Sequence, residues 1–370
     1  MMPIQAWDYR REYEAERADI LDAVDKVLRS GRLILGDSVR EFESRFAARC
    51  GVAHGVGVNS GTDALFLALK ALGIGPGDEV VTVANTAIPT VSAIVSTGAT
   101  PRFVDVDPHT FLMDVTQLEA ALTPRTRCII PVHLYGQCVD MRALATIAEK
   151  RDIALLEDCA QCHGARQHGR PAGSMSRVAA FSFYPTKVLG AYGDAGMIVT
   201  SDASTADAAR SLRMYGTHGT YYADRHGYNS RLDELHAEIL LRKLGRMDGY
   251  IRRRQEIASA YGAKLADLDL ALPRVAPGNS HVYYMYVCRH AARDRIVERL
   301  AERGIHANVS YRWPVHRMPA YAHLGYAEAS LPRTEMAARE VFSLPMYPTL
   351  SDGEVAEVCA ALRDILSREL

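Results

Sequence analysis

The sequence predicts an α/β protein with a mostly parallel central sheet and a smaller C-terminal α+β domain. From about residue 50 onward, short β-branched runs alternate with segments of helix length. These runs are VVTVA at 80–84, RFVDV at 102–106, RCIIPV at 127–132 and IALLE at 153–157. Such alternation is typical of βαβ crossovers, which place helices on both faces of a parallel sheet. Two further runs, at 178–184 and 195–201, follow closely on each other and should complete the sheet.

Helical patterns flank the predicted sheet. Apolar residues recur at helical spacing within the first 50 residues, and a longer helical pattern runs from about 231 to 265. Proline and glycine residues at 273–278 then interrupt the chain. We therefore expect two domains. Residues 1–250 should comprise N-terminal helices and the large α/β domain, and residues 251–370 the smaller α+β domain.

The C-terminal domain is expected to contain a strand at HVYYMYVCR (281–289), a helix ending near Gly304 and a final helix. Ser351 and Glu354 form a plausible capping box for that last helix, because each side chain can bind a backbone N–H of the other's turn. One apolar stripe should then face the core. Its members are Val355, Val358, Leu362 and Ile365.

Charge and hydropathy narrow the class of protein. The chain has 43 Lys and Arg residues against 44 Asp and Glu residues, so its charges nearly cancel. Its densest basic cluster, at 252–254, is predicted to be a solvated helix face rather than a nucleic-acid surface. The N-terminus lacks the pattern of a signal peptide, and no apolar run is long enough to span a membrane. We expect a soluble protein with neither nucleic acid nor membrane as a partner.

The cysteines point to the cytoplasm. There are seven, an odd number, which favours reduced thiols in a reducing compartment. Cys159 and Cys162 form a C-x-x-C motif. A thioredoxin-like role would need this motif to open a helix after the first strand of a small domain, and a metal site would need a second pair. Neither condition is met, so we expect structural thiols and no metal.

Three stretches carry the residues expected to do chemistry. The first, Asn-Ser-Gly-Thr-Asp at 59–63, ends a strand-like run and opens an apolar helix. A glycine-containing turn at a helix N-terminus leaves unpaired backbone N–H groups, and the helix dipole favours an anion there. Taken alone, an ordinary helix cap explains this stretch better.

The second stretch ends the buried-looking run at 153–157 and adds Asp158. In parallel sheets ligands lie beyond the carboxyl ends of the strands, and strand alternation points Glu157 and Asp158 to opposite faces. A carboxylate here could pair with a protonated heterocycle nitrogen, as an electron-sink cofactor requires. Gln161 and His163 follow within reach. Glu157 could equally be a structural acid that binds a backbone amide.

The third stretch is Ser-Phe-Tyr-Pro-Thr-Lys at 182–187, followed by several glycines at 190–196. Pro185 breaks the strand just before Lys187. Nearby apolar groups favour the neutral amine that Schiff-base chemistry needs. A solvated lysine after a strand would explain neither the glycines nor the aspartate 29 residues upstream. Together the three stretches predict a pyridoxal 5′-phosphate enzyme whose cofactor forms a Schiff base with Lys187.

The order of the motifs resembles the DegT/DnrJ/EryC1/StrS family of fold-type I aminotransferases. The motifs that carry the resemblance are GVNSGTDAL, EDCAQCHGA, FSFYPTKVLGAYGDAG, GYNSRLDEL and VFSLPMYP, and they span essentially the whole chain. The resemblance implies an aspartate aminotransferase-like fold with pyridoxal 5′-phosphate as cofactor. It also implies a homodimer whose subunits share their active sites.

Roles follow from the resemblance only where residues match. Lys187 resembles the Schiff-base lysine, which also moves the proton during transamination, and Asp158 resembles the partner of the pyridinium nitrogen. Gln161 resembles the residue near the ring hydroxyl of the cofactor. The residues that resemble the phosphate cradle are Gly61, Thr62 and Ser182.

Two further positions bear on the subunit arrangement and on the branch of the family that the chain resembles. Asn229 resembles a residue that reaches the phosphate from the neighbouring subunit, although by itself it reads as a turn residue before a helix. A dehydratase branch of the family has histidine where this chain has Lys187. The retained lysine therefore implies a transaminating member.

The chain departs from the family pattern near the substrate. Members often place an aromatic residue over the cofactor ring where this chain has Ala87, so ring stacking must be weaker or come from elsewhere. The familiar His-Tyr-Pro of the substrate loop becomes Ser-Tyr-Arg-Trp-Pro at 310–314. Aromatic packing explains the tyrosines among the substrate candidates equally well, and a capping role explains His163 equally well. The candidates are His163, Tyr184, Tyr311 and His316.

The resemblance implies a ping-pong transamination from an amino donor, L-glutamate, to a nucleotide-linked keto-6-deoxyhexose, with dTDP as the expected carrier. Amination at C3 is preferred, because EDCAQ-x-HGA and GAYGDAG look most like enzymes that make 3-amino-3,6-dideoxyhexoses. One alternative is a 4-keto sugar aminotransferase of the same family. Others are a regulatory protein that binds pyridoxal phosphate without turnover, and a desulfurase, for which no cysteine is obviously placed.

Overall fold

The computed structural model describes residues 3–369. Its helices are α1 Tyr9–Ser30, α2 Asp37–Cys50, α3 Gly61–Ala71, α4 Ile88–Ser96, α5 Leu118–Ala121, α6 Met141–Arg151, α7 Ala203–Leu212, α8 Glu234–Leu244, α9 Met247–Leu265, α10 Arg293–Glu302, α11 Pro332–Glu340 and α12 Asp352–Arg368. Its strands are β1 His54–Val58, β2 Glu79–Val83, β3 Thr100–Val104, β4 Thr126–Ile129, β5 Ala154–Asp158, β6 Arg166–Gln167, β7 Arg170–Pro171, β8 Val178–Ser182, β9 Gly196–Thr200, β10 Asn279–Ser280, β11 Tyr286–Arg289 and β12 Val341–Leu344.

The central sheet has seven strands in the order β1-β9-β8-β5-β4-β2-β3. Every strand except β9 runs in one direction, because β9 pairs antiparallel with both β1 and β8. The remaining pairs are parallel. The predicted mostly parallel sheet is therefore confirmed, and each run named from the sequence supplies one of its strands.

Helices cover both faces of the sheet, as the alternation predicts. On one face α3 packs with α4 and α7 over a core that includes Val56 and Leu67. On the other face Phe42 and Phe46 of α2 meet two aromatic rings at the end of β8. Phe46 makes edge contacts with Phe181 and Phe183, at ring-centroid distances of 4.9 and 5.1 Å. This aromatic cluster anchors the end of β8 from which the chain turns toward Lys187.

The last third of the chain builds a second core around the antiparallel pair β11-β12. The capping box is confirmed, since the Ser351 hydroxyl accepts from the N–H of Glu354 while the Glu354 carboxylate binds the N–H of Ser351. The apolar stripe of α12 is buried, as predicted. The α9 helix packs on this core, and Ile4 forms a backbone bridge with Ile305. The domain division near residue 250 remains our proposal.

Two expectations about local structure are wrong. The helical pattern at 231–265 forms two helices, α8 and α9, with a break at Gly245. Only the second half of HVYYMYVCR is a strand, because residues 281–285 form an irregular segment in which Tyr283 has a positive φ of 48°. An apolar aromatic run has the composition of a strand, but a side chain can bind its backbone carbonyls in place of a neighbouring strand.

That side chain belongs to Arg254. The sequence predicted that this residue lies on a solvated helix face, and that expectation is also wrong. Arg254 is completely buried, whereas Arg252 is exposed as expected. Its Nη1 donates to the carbonyl oxygens of Tyr283 and Tyr284 at 3.1 and 3.2 Å. Its guanidinium lies 4.9 Å from the centroid of the Trp7 ring. A buried cation thus joins α9, the irregular segment and the N-terminus.

The cysteines agree with a further expectation. All seven cysteines are buried free thiols, including Cys159 and Cys162 of the C-x-x-C motif. Between residues 3 and 369, no helix combines the length and apolar character needed to cross a membrane.

Candidate active site

A pocket of about 210 Å³ lies at the carboxyl ends of β5 and β8, where parallel sheets place their ligands. Most residues singled out from the sequence line it. Those residues are Gly61, Thr62, Asp158, Gln161, Ser182, Tyr184 and Lys187. The three stretches that are distant in sequence therefore converge on one cavity.

Asp158 is buried at the end of β5, with 4% of its surface exposed. Its Oδ2 accepts from the Thr90 hydroxyl at 2.8 Å, and its Oδ1 accepts from the N–H of Ala160 at 3.1 Å. Burial raises the pKa of the Asp158 carboxyl, and these two donors and the charge of Lys187 oppose that rise. The carboxylate is thus fixed in orientation and retains lone pairs for a further donor in the pocket.

Glu157 points to the opposite face of the sheet and is a structural acid. It accepts from the backbone N–H groups of Gly173 and Met175 at 2.9 and 2.8 Å and from His133 Nε2 at 3.0 Å. His133 Nδ1 accepts from the N–H of Val139, so Nε2 carries the hydrogen directed at Glu157. Burial opposes ionisation of Glu157, but His133 and the two amides outweigh it and lower the pKa.

The start of α3 forms the anion-binding end of the pocket. The Ser60 side chain accepts from the N–H of Asp63, and its carbonyl accepts from Ala64. This cap leaves the N–H groups of Gly61 and Thr62 for a ligand. A Cβ added at Gly61 would lie 2.5 Å from the Cβ of Ser182, so only glycine permits this close approach.

Lys187 lies on the turn after β8, where its N–H donates to the carbonyl of Tyr184 at 2.9 Å. The turn is tight, because a Cβ at Gly190 would lie 2.3 Å from the carbonyl oxygen of Pro185. The amine of Lys187 lies 4.6 Å from the centroid of the Tyr284 ring. Lys187 and Asp158 line the same pocket, so the two groups that one heterocycle must bridge are on the same side of the sheet.

Gln161 and Tyr311 connect the pocket to the C-terminal part of the chain. The Gln161 side chain accepts from the N–H of Tyr135 at 2.9 Å and donates to the Tyr311 hydroxyl at 2.6 Å. Tyr135 and Tyr311 have positive φ angles of 61° and 60°, an uncommon conformation for residues other than glycine. Since the phenol oxygen accepts from Gln161, the Tyr311 hydrogen is free to be donated elsewhere.

Three of the four substrate candidates do not line the pocket. Tyr311 contacts one of its lining residues, Gln161, whereas His163 and His316 lie in other clusters. His163 is fully buried among the rings of Phe46, Phe181 and Phe183, and burial lowers its pKa to about 3. His316 is buried in a separate cluster, where its Nε2 is 3.2 Å from Glu335. Proximity in sequence to a motif suggested a polar role for both histidines, but neither ring lines the pocket. Both are therefore withdrawn as substrate contacts.

Asn229 also lies outside this pocket. It is exposed, and its backbone forms a bridge with Met214. Ala87 does line the pocket, and Val132 and Ala160 add further small apolar surface to its wall.

Thr90 is a pocket residue that sequence reasoning missed. It lies in the first turn of α4 and is 1% exposed. Its hydroxyl also lies 3.0 Å from that of Thr86, a second buried threonine of the pocket. The contact between Thr90 and Asp158 spans 68 residues, so no local pattern could have revealed it.

Fold and pocket together define a fold-type I enzyme that depends on pyridoxal phosphate. The model of the DegT/DnrJ/EryC1/StrS aminotransferase family matches residues 14–363, and the chain belongs to that family. Solved relatives carry pyridoxal or pyridoxamine phosphate, and pyridoxal 5′-phosphate is the cofactor of this aminotransferase.

The relatives include enzymes and a regulator. A dTDP-3-amino-3,4,6-trideoxy-alpha-D-glucose transaminase of Micromonospora megalomicea subsp. nigra is 56% identical over 99% of this chain and 100% of that protein. A pleiotropic regulatory protein of Geobacillus stearothermophilus is 44% identical over 95% of this chain and 96% of its own. The crystal structure of S. venezuelae DesV in complex with a ketimine intermediate has a TM-score of 0.98 and 44% identity, and each chain is covered completely.

The pocket fits pyridoxal phosphate by its own chemistry. A buried carboxylate can pair with a protonated ring nitrogen, free N–H groups at a helix start can hold a phosphate, and an amine can bond to the aldehyde carbon. Glycine at position 61 leaves room for Ser182, so that the start of α3 and the Ser182 hydroxyl can face the same anion.

Gly61→Ala should weaken both the fold and cofactor binding. The added methyl group would overlap Ser182, and overpacking of this kind costs about 1–3 kcal/mol. We expect a lower melting temperature and at least about a tenfold weaker affinity for pyridoxal phosphate in an absorbance titration. Gly75→Ala is the matched control, because its Cβ would meet only one atom, at 3.9 Å. Equal cofactor affinity in the two variants would contradict the close approach at Gly61.

Thr90→Val should change the pH dependence of activity. Loss of the hydroxyl removes a hydrogen bond to the charged form of Asp158, so the pKa of that carboxyl rises further. The acidic limb of the kcat/KM profile should then move to higher pH by about one unit. Thr90→Ser retains the hydroxyl and should keep the wild-type profile. An acidic limb that stays in place in Thr90→Val would exclude Thr90 as a determinant of the Asp158 charge.

Proposed function

We propose that this chain transfers the amino group of L-glutamate to C3 of a keto-6-deoxyhexose carried on dTDP. The observation that carries the proposal is the joint placement of Lys187 and Asp158 in one pocket that fits pyridoxal phosphate. The name of the 56% identical relative, a dTDP-3-amino-3,4,6-trideoxyglucose transaminase, supports dTDP as carrier, amination at C3 and a deoxygenated C6.

The chain's own residues can perform the reaction. When bound, pyridoxal phosphate supplies an electron sink that stabilises negative charge on the carbon that loses its proton. Asp158 would keep the ring nitrogen protonated, and the N–H groups of Gly61 and Thr62 with the Ser182 hydroxyl would hold the phosphate. Lys187 Nζ would accept the proton from the substrate carbon that bears the nitrogen and hold it for return.

The substrate side of the pocket is assigned to two tyrosines. Tyr184 lines the pocket with 49% of its surface exposed, and Tyr311 has a hydroxyl hydrogen left to donate. Gln161, which orients Tyr311, is assigned to the ring hydroxyl of the cofactor. Since neither tyrosine provides a charge, both suit a sugar hydroxyl better than a carboxylate.

We also propose that a partner subunit contributes a residue to the site. Asn229 is exposed and follows a loop whose Tyr221 and Tyr222 are 94% and 76% exposed. Exposed aromatic side chains on one loop are typical of a protein interface. A homodimer in which Asn229 reaches the phosphate of the neighbouring site accounts for both features. The buried free thiols support a location in the cytoplasm.

One observation favours a second function, a regulator without turnover. A relative at 44% identity is named a pleiotropic regulatory protein. The intact Lys187 and Asp158 favour the enzyme. Amination of a 4-keto sugar stays the alternative within the same family.

Purified wild-type protein with pyridoxal phosphate should lose its Schiff-base absorbance when L-glutamate is added, and it should aminate a dTDP-3-keto-6-deoxyhexose in a coupled assay. Lys187→Ala should lose the absorbance and at least about 10³-fold of the turnover, because the proton-transfer group is gone. Lys150→Ala, at an exposed lysine, is the control.

Each other outcome has a defined meaning. Retained steady-state turnover in Lys187→Ala would refute the role of the lysine. A wild-type spectrum that glutamate leaves unchanged would favour the regulator. Amination of only the 4-keto isomer would overturn the preference for C3.

Shared active sites predict complementation between two inactive variants. In a heterodimer of Lys187→Ala and Asn229→Ala subunits, one site contains both substitutions and the other contains neither. We therefore expect that coexpression of differently tagged subunits, followed by tandem purification, yields about half the wild-type activity per dimer. A heterodimer no more active than the Asn229→Ala homodimer would show that Asn229 acts within its own chain.

A further inference from the structure

The ring of Tyr284 faces the amine of Lys187. Nζ lies 4.6 Å from the ring centroid, within the range of a cation–π contact. Tyr284 is 6% exposed, and its hydroxyl lies 3.0 Å from that of Thr186, the residue directly before Lys187. The ring is therefore tied to the same turn that carries the lysine.

A buried arginine holds the backbone of Tyr284 in place. Its carbonyl and that of Tyr283 accept from the buried Arg254, which also stacks on Trp7. Because Arg254 Nη1 donates to these carbonyls and to that of Met346, a shift of Tyr284 would cost a buried cation part of its hydrogen bonding. The ring is thus a rigid surface rather than a side chain that happens to lie nearby.

The carboxylates around Lys187 do not compete for its amine. Across residues 3–369, none lies within salt-bridge distance of Nζ. Asp158 faces it from the cofactor pocket and is held by Thr90. On the other side Lys187 lines a cavity of about 180 Å³ that also contains titratable groups of α1, of α9 and of the residue just before α9. Those groups are Glu12, Glu16, Arg246 and Tyr250.

The acids of that second cavity have partners of their own. Glu12 binds Lys243, and Glu16 binds the Tyr250 hydroxyl and is also paired with Arg246. Tyr184 and the exposed carboxylate Asp194 are the other titratable side chains that line the cofactor pocket, and within residues 3–369 neither forms a hydrogen bond or a salt bridge with Lys187. The π face of Tyr284 is therefore the contact left to an amine that is not bonded to the cofactor.

We propose that Tyr284 is a positioning residue. It holds the Lys187 amine whenever the substrate nitrogen has displaced that amine from the cofactor. The inference rests on the role assigned to Lys187 above. A π face stabilises an ammonium without accepting its proton, whereas a carboxylate would hold it tightly as an ion pair. The lysine stays close to the reacting carbon and remains able to give up or receive a proton there.

The test uses the cofactor-free full-length protein, so that it does not depend on catalysis. Lys187 is labelled briefly with acetic anhydride over a range of pH, and its modification is quantified by peptide mass spectrometry. Only the neutral amine reacts, and the ring favours the ammonium. In Tyr284→Leu we expect the pH of half-maximal labelling to fall by about one unit. Improved access alone would raise the rate at every pH without moving this midpoint.

Tyr284→Phe is the matched control, because it keeps the π face and loses only the bond to Thr186. Its midpoint should stay within a few tenths of a unit of wild type. A wild-type midpoint in Tyr284→Leu overturns the proposal, and so does a shift in Tyr284→Phe as large as that in Tyr284→Leu. If Tyr284→Leu does not fold, Tyr284→Met offers a buried, unbranched side chain without a π face and replaces it.

The holoenzyme separates this inference from the proposed function. In steady-state assays Tyr284→Leu should bind pyridoxal phosphate normally but lower kcat by about tenfold with little change in KM. A wild-type protein that fails to aminate any sugar would remove the proposed function while leaving the labelling result intact. Normal wild-type turnover with an unmoved midpoint in Tyr284→Leu would remove the inference alone.

Discussion

The site depends on keeping the Asp158 carboxylate charged inside the protein. Burial disfavours that charge. A hydroxyl from α4, a backbone N–H and the nearby lysine offset the effect of burial. The preceding residue, Glu157, is a second buried acid and has its own donors on the opposite face of the sheet. Two adjacent carboxylates can share one strand end because alternation separates their environments. One is thereby free to serve a ligand while the other holds the loops in place.

The sheet and the central chemistry could be predicted because their signals are local. Alternation of β-branched runs with helix-length segments identified the strands, and the motifs around Asp158 and Lys187 each lie within a few residues. Errors arose where composition and backbone disagree. The aromatic run at 281–289 has strand composition, yet a buried arginine binds its carbonyls and bends it. Gly245 ended a helix that the apolar pattern alone would have continued.

The rest of the site could not be predicted, since its contacts join residues far apart in sequence. Thr90 reaches Asp158 from another helix, and Tyr284 reaches Lys187 from the C-terminal part of the chain. The direction in which a side chain points is equally hard to predict from the sequence. His163 lies five residues from Asp158, but its ring turns into an aromatic cluster and not toward the pocket. A motif fixes which residues are near a strand end, and tertiary packing decides which of them face a ligand.

The docking of residues 4–7 constrains the order in which the chain can fold. Ile4 pairs with Ile305, and Trp7 stacks on Arg254, so this stretch must meet partners that are far away along the chain. Closing so long a loop carries an entropic cost that local contacts do not. The large sheet can form before this closure, whereas the wall of the second cavity beside Lys187 cannot, because Trp7 is part of it. The surroundings of Lys187 on the side away from the cofactor pocket are therefore completed late in folding.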